Sequence, residues 1–194
     1  MTQPPRHPEV LEFLLTRRSR PAKALTAPAP DQATLARLLT AAARCPDHGK
    51  LEPWRFVVIE RPALERLARK AEAYARAACF DDEKIAKGAG QFARSPLCVA
   101  VISNPVEHPK IPQIEQILSA GGVCLGLVNA ALAQGFGAAW LTGWPAHTRD
   151  FIAPALGLAA HESVAGFIHI GTCDASVPER PRPDVPSLTT VLSR

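Results

Sequence analysis

Three consecutive donors, Arg17-Arg18-Ser19, are the first residues in the sequence whose types suggest chemistry. Planar guanidinium forks beside a short hydroxyl suit the oxygens of a phosphate dianion. The charge distribution points the same way. Residues 1–50 carry eight Lys/Arg (Arg6, Arg17, Arg18, Arg20, Lys23, Arg37, Arg44, Lys50) against four acids (Glu9, Glu12, Asp31, Asp47), which is the whole formal charge of +4; the rest of the chain balances at 14 against 14. That pattern fits one local anion site, the alternative being a solvated basic face. Aromatics make up only 6% of the chain, so the basic stripe with interleaved aromatics of a nucleic-acid binder is missing. Two further groups accompany the tripeptide. One is Arg44-Cys45-Pro46-Asp47-His48 ahead of Glu52-Pro53-Trp54-Arg55-Phe56; the other is Gly135-Phe136-Gly137 ahead of Trp140.

Other chemistries find no residues. The sequence has no nucleophile elbow, no Walker loop and no G-x-G-x-x-G between a strand and a helix. Five cysteines (Cys45, Cys79, Cys98, Cys124, Cys173) are odd in number and lack C-x-x-C, and the six histidines lack paired spacing, so no metal set is expected. Most of the cysteines read as buried small hydrophobes in a reducing compartment, Cys124 among them. Asp81-Asp82-Glu83 reads as the acidic start of a helix, Trp54 as core, and Arg55 as an outward charge on a strand.

The elements that must position these residues follow from periodicity and punctuation. A short helix is expected over 9–17, with Val10, Phe13 and Leu14 on one side. Asp31 is an N-cap for a helix bearing Leu35, Leu38, Leu39 and Ala42, stopped by Pro46. Residues 45–53 read as a loop and 54–60 as a strand. Helices follow from near Pro62 to Ala78 and from Asp81, then an apolar strand over 96–103 covered on both faces. After a Pro-containing loop, 113–134 is a small-residue helix expected to be almost wholly buried. A short strand over 135–141, a helix over 148–156 and a last strand over 163–172 complete the core. The whole chain, 1–194, reads as one α+β or mixed α/β domain of about four strands, ending in a Pro-rich tail over about 174–194. Its 47% hydrophobic content allows a sizeable core. The longest apolar run, 117–133, is broken by Gly121, Gly122, Gly126 and Asn129, so no membrane span is expected. No secretory signal is visible, and the expected location is the cytoplasm.

Taken in order, RRS at 17–19, APAP and a Leu-rich helix at 27–42, RCPDHGKLEPWRFVVIE at 44–60, AQGFGAAW at the end of the glycine-interrupted helix and the strand ending in GT at 171–172 resemble the nitroreductase family of FMN-dependent enzymes. The likeness is to its small bacterial branch, with P-D-H before P-W-R-F. It implies a mixed central sheet wrapped by helices in an intertwined homodimer, with one FMN at each of two subunit-interface sites. Arg17 and Ser19 would hold the FMN phosphate, and Arg18 and Lys23 would lie near the flavin. Arg44 and His48 would reach it from the partner subunit, and Trp140, Leu141 and Thr142 would line the site. Ala130, Ala131, Leu132, Ala133, Gln134 and Gly135 would lie near NAD(P)H. Many members carry Lys or Arg two residues after the Ser, where this chain has Pro21, and Asn or Gln where it has Glu52. The implied activity is ping-pong reduction of nitroaromatics, quinones or similar small acceptors by NAD(P)H, with no catalytic residue because the flavin carries the chemistry. The alternative is a non-catalytic store or sensor of FMN or another phosphorylated ligand.

Overall fold

The computed structural model describes residues 3–193. In chain order the elements are α1 (Pro8–Thr16), α2 (Gln32–Ala42), β1 (Trp54–Glu60), α3 (Arg61–Ala77), α4 (Asp82–Arg94), β2 (Leu97–Ser103), α5 (Gln113–Ala133), β3 (Gly137–Leu141), α6 (Gly143–His147), α7 (Arg149–Leu156) and β4 (Ser163–Gly171). Single 3-10 turns lie at Ala22–Ala24, His48–Lys50 and Pro186–Leu188.

The strands form one sheet in the order β1-β2-β4-β3. All three neighbouring pairs are antiparallel, so the sheet that the resemblance describes as mixed is antiparallel within this chain, while the α+β class holds. Central β2 is buried at every residue, which its unbroken apolar run requires. One face of the sheet is covered by α3, α4, α6 and α7, through Leu64, Leu67, Phe92, Phe151 and Phe167. The other is covered by α2 and α5, through Leu38, Val123, Leu127, Val99 and Ile168. Local signals act where expected. The Asp31 side chain accepts from the Thr34 N–H at 2.7 Å, and the Asp81 side chain from the Lys84 N–H at 2.8 Å.

Several expectations need correction. Helix α5 is not almost wholly buried: Ile114, Ile117, Leu118 and Leu125 are exposed, because one stripe faces the sheet and the opposite stripe faces outward. Nor do its glycines disqualify it by composition. It is long and apolar enough to cross a membrane, although here it packs on α2 and three strands as a core helix. Helix α1 buries nothing, and Val10, Leu11, Leu14 and Leu15 are all exposed. Only Cys98 and Cys124 are buried, while Cys45 and Cys173 are half-buried and Cys79 is exposed. Burial pushes the Cys124 thiol up to about 12, so it packs and does not react. Helix α6 was not among the expected elements, residues 142–147 having been assigned to none. Helix α2 ends before Pro46 is reached.

Candidate functional site

Arg17 caps the C-terminus of α1, its N–H donating to the Phe13 carbonyl at 2.7 Å. One Nη of its guanidinium donates to Ser19 Oγ at 2.8 Å. The fork and the hydroxyl therefore present together, as the phosphate reading needs. The Nε atoms of Arg17 and Arg18 are buried without a partner. The Pro-rich tail adds a third guanidinium: Arg182 donates to the Arg17 carbonyl at 3.4 Å. Burial, then the nearby Arg182 and Arg18 charges, pull the Arg17 pKa below its ordinary value. The nearby countercharge from the tail is Glu179, paired to Arg182 at 2.8 Å. Buried, unpartnered guanidinium nitrogens and crowded positive charge fit an anionic group such as the FMN phosphate.

This segment is fastened to the edge of β3, where the Arg20 N–H donates to the Ala138 carbonyl at 2.8 Å. Gly137 permits the approach, since a Cβ there would come within 2.6 Å of both Leu25 and Cys173. Beyond it, Lys23 on its 3-10 turn and Leu141 at the end of β3 line a cleft of about 300 Å³. Its opposite wall is α4, with Lys87, Gln91 and Arg94. Trp140 lies on the other face of β3. Its indole N–H donates to the Ala165 carbonyl at 3.2 Å and its ring fills the space over Gly166, where no Cβ would fit. Thr142 follows β3 and is the N-cap residue of α6. In the segment 130–135, Ala131 is buried in the core, so the surface offered is Ala133, Gln134 and Gly135.

The Pro-Asp-His loop sits elsewhere, on the N-terminal half of α5. Cys45 Sγ donates to the Ser119 carbonyl at 3.4 Å and Ser119 Oγ donates to the Pro46 carbonyl at 2.6 Å. Asp47 accepts from the Leu51 and Glu52 N–H groups at 3.2 and 2.8 Å, closing the loop with Lys50 and Glu52 at positive φ. His48 Nδ1 is 2.7 Å from Glu115 Oε2, and Arg44 is exposed. Thus Arg17, Arg18, Ser19, Lys23 and Leu141 gather along one flank, whereas Arg44 and His48 do not join them within the chain.

A family model described as Nitroreductase family matches residues 14–172. The chain belongs to the nitroreductase family. It is 37% identical over 164 residues to the protein named Putative NAD(P)H nitroreductase YdjA of Escherichia coli strain K12, covering 84% of this chain and 88% of that one. A Haemophilus influenzae protein named Putative NAD(P)H nitroreductase is also 37% identical, over 166 residues, with coverage of 84% and 88%. Among solved structures, the nitroreductase-like family protein from Bacillus cereus superposes with a TM-score of 0.78 at 20% identity, covering 100% of both chains. The nitroreductase with bound FMN from Bacteroides fragilis NCTC 9343 superposes with a TM-score of 0.72 at 21% identity, covering 95% of this chain and 99% of that one. These likenesses establish the nitroreductase fold.

Sequence reasoning missed three of the residues that matter. Arg182 had only the signal of a second basic residue in a Pro-rich tail. Glu162 had none: Arg55, read as an outward charge, instead grips it with Nε at 2.5 Å and Nη2 at 2.8 Å. His169, on β4, is buried near Phe92 with both ring nitrogens unpartnered, and burial pushes its pKa down to about 4. Among the described residues no group of three His, Cys, Asp or Glu could hold a metal.

Proposed function

We propose that this chain is an FMN-dependent NAD(P)H oxidoreductase that reduces nitroaromatics, quinones or similar flat, electron-poor acceptors. The observation that carries the reading is the Arg17–Arg18–Ser19 cluster with Arg182, whose buried guanidinium nitrogens lack partners in a chain of nitroreductase type. Arg17, Ser19 and Arg182 bind the FMN phosphate, and Arg18 supports them. Lys23 and Leu141 wall the cleft that takes the ring system, with Thr142 at its end and Trp140 fixing the strand from behind. When bound, FMN would supply the redox chemistry, taking a hydride from NAD(P)H and reducing an acceptor that enters after NAD(P)⁺ has left. The surrounding cations favour the negative charge that develops on the reduced ring system. Gln134 offers its side-chain carboxamide toward the nicotinamide nucleotide, beside the carbonyls that end α5; the Gln134 and Gly135 N–H groups already donate to the Ala130, Ala131 and Leu132 carbonyls, and Ala133 and Gly135 supply exposed surface.

The functional unit in this reading is an intertwined homodimer in the cytoplasm. Two observations support the dimer. Exposed apolar residues of α1, α5 and the tail (Leu15, Leu118, Leu188) are what an obligate interface covers. Moreover, the Arg20 contact lies just beyond the C-terminal end of α5 and His48 sits on its first turn. Glu115 and Gln134 are about 28 Å apart along the helix at its standard rise, so Arg44 and His48 serve the partner's flavin. The test is stopped-flow reduction of the flavoprotein by NADH and NADPH, then turnover with a panel of acceptors. Flavin bleaching by the nucleotide and parallel double-reciprocal lines are expected. A protein that takes up no FMN, or intersecting lines, would overturn the reading.

A further inference from the structure

His48 has two ring nitrogens, and the structure commits one of them. Nδ1 faces Glu115 Oε2 at 2.7 Å, and a carboxylate only accepts, so Nδ1 carries the proton. Nε2, on the far side of the ring, is then the nitrogen left for a ligand. In the neutral ring it bears a lone pair and accepts from an N–H or O–H group; it donates only after taking up a proton. Glu115 does not act alone. It stands one helical turn from Ser119, which holds the Pro46 carbonyl, and both project from the α5 face against which the loop lies. The other nearby carboxylate, Asp47, is occupied by the Leu51 and Glu52 N–H groups and does not compete for the imidazole.

We propose that Glu115 is a positioning residue for His48: it fixes the ring and its Nδ1–H tautomer so that Nε2 is turned outward to the flavin bound across the dimer interface. The proposal rests on the FMN reading and adds to it a residue that does not itself touch the cofactor. The chain contains an internal standard. His108 Nδ1 accepts from the Lys110 and Ile111 N–H groups at 3.2 and 3.1 Å, which imposes the opposite tautomer.

The test begins with a long-range proton–nitrogen spectrum of the histidine rings in the FMN-free protein, at about pH 8.5, where imidazoles are neutral. His48 is expected to show the Nδ1–H pattern and His108 the Nε2–H pattern. Glu115→Ala should turn His48 toward the His108 pattern, and so should the near-isosteric Glu115→Gln, whose carboxamide both donates and accepts. FMN titration then separates positioning from general support. Because both side chains are about half exposed, Glu115→Ala should weaken FMN binding about two- to fivefold, and should add nothing in a His48→Ala background. A wild-type His48 with the His108 tautomer overturns the proposal, as does an undiminished effect of Glu115→Ala when His48 is absent. Failure of the wild type to take up FMN overturns the flavin reading and the cofactor half of this proposal, while the ring spectrum still decides the tautomer.

Discussion

Two arginine sites in this molecule use the same side chain in opposite ways. Arg55 on β1 meets Glu162, which is 6% exposed, in a two-pronged pair, and Glu162 also accepts from the Ala159 N–H at 2.8 Å. Every strong group there is answered from within the chain. At Arg17 the nearest charges are more arginines, and the Nε atoms of Arg17 and Arg18 are left unanswered. A buried charge that the chain answers belongs to the fold, whereas one that it leaves unanswered at a surface flank is a place for a ligand.

The largest effect that would sharpen this contrast is at the open site. Arg17→Ala should weaken FMN binding about 10- to 100-fold, the scale of losing a charge-assisted hydrogen bond. The thermal midpoint of the FMN-free protein should hold or rise, since a like charge has been removed. A large stability loss without FMN would break the comparison. At the closed site the expectation reverses. Glu162→Gln should cost on the order of 2 kcal/mol of stability at pH 7 by chemical denaturation, with FMN affinity nearly unchanged. The Arg55 hydrogen bond, ahead of the Ala159 contact, pulls the Glu162 pKa down from 4.5 to about 2. Its contribution is therefore complete above pH 4.5 and is lost as pH falls toward 2, so wild type and variant should converge over that window.

A third case, His169, is buried and neutral. Its pKa falls from 6.5 to about 4 through burial alone. The unfolded chain binds the proton more readily, so the wild type loses stability between pH 6.5 and 4. His169→Leu should remove that slope, about 3 kcal/mol across the window, as read from denaturation midpoints at each pH. The smallest effect expected is that of Arg20→Ala. Its backbone N–H, not its side chain, holds the Ala138 carbonyl, and FMN affinity should change less than about twofold, the scale of a half-buried surface charge that makes no ion pair among the described residues.

Much of the fold was legible because its signals are local. The aromatic and β-branched run WRFVVIE is β1 to the residue, the all-apolar run is β2, and the caps at Asp31 and Asp81 both form. The residues proposed for the site in contiguous motifs, Arg17-Arg18-Ser19 and Arg44 with His48, stand out in the sequence as candidates, and the structure adds the Arg17–Ser19 contact to the first group. What stayed hidden depends on distant pairing. No local pattern places Glu162 opposite Arg55, more than a hundred residues away, or folds Arg182 back onto Arg17. The outward stripe of α5 was misjudged for a related reason. Apolar composition says that a surface will be covered, and not whether its own chain or another will cover it.

Helix α5 also sets where this chain tolerates changes of length. Each residue of an α-helix turns the face by about 100° and advances it by 1.5 Å. Glu115 and Ser119 grip the loop with one phase of that screw, and Val123, Leu127 and Ala131 seat the sheet with another. One residue inserted between positions 120 and 123 would leave the sheet contacts in register and swing the two grips about a quarter-turn off the loop. The same insertion in the 104–112 connection would turn no helical face, although it must keep the Asn104 contacts to Pro53 and His161, the Val106 contacts to Gln116, the His108 turn and the buried Ile111.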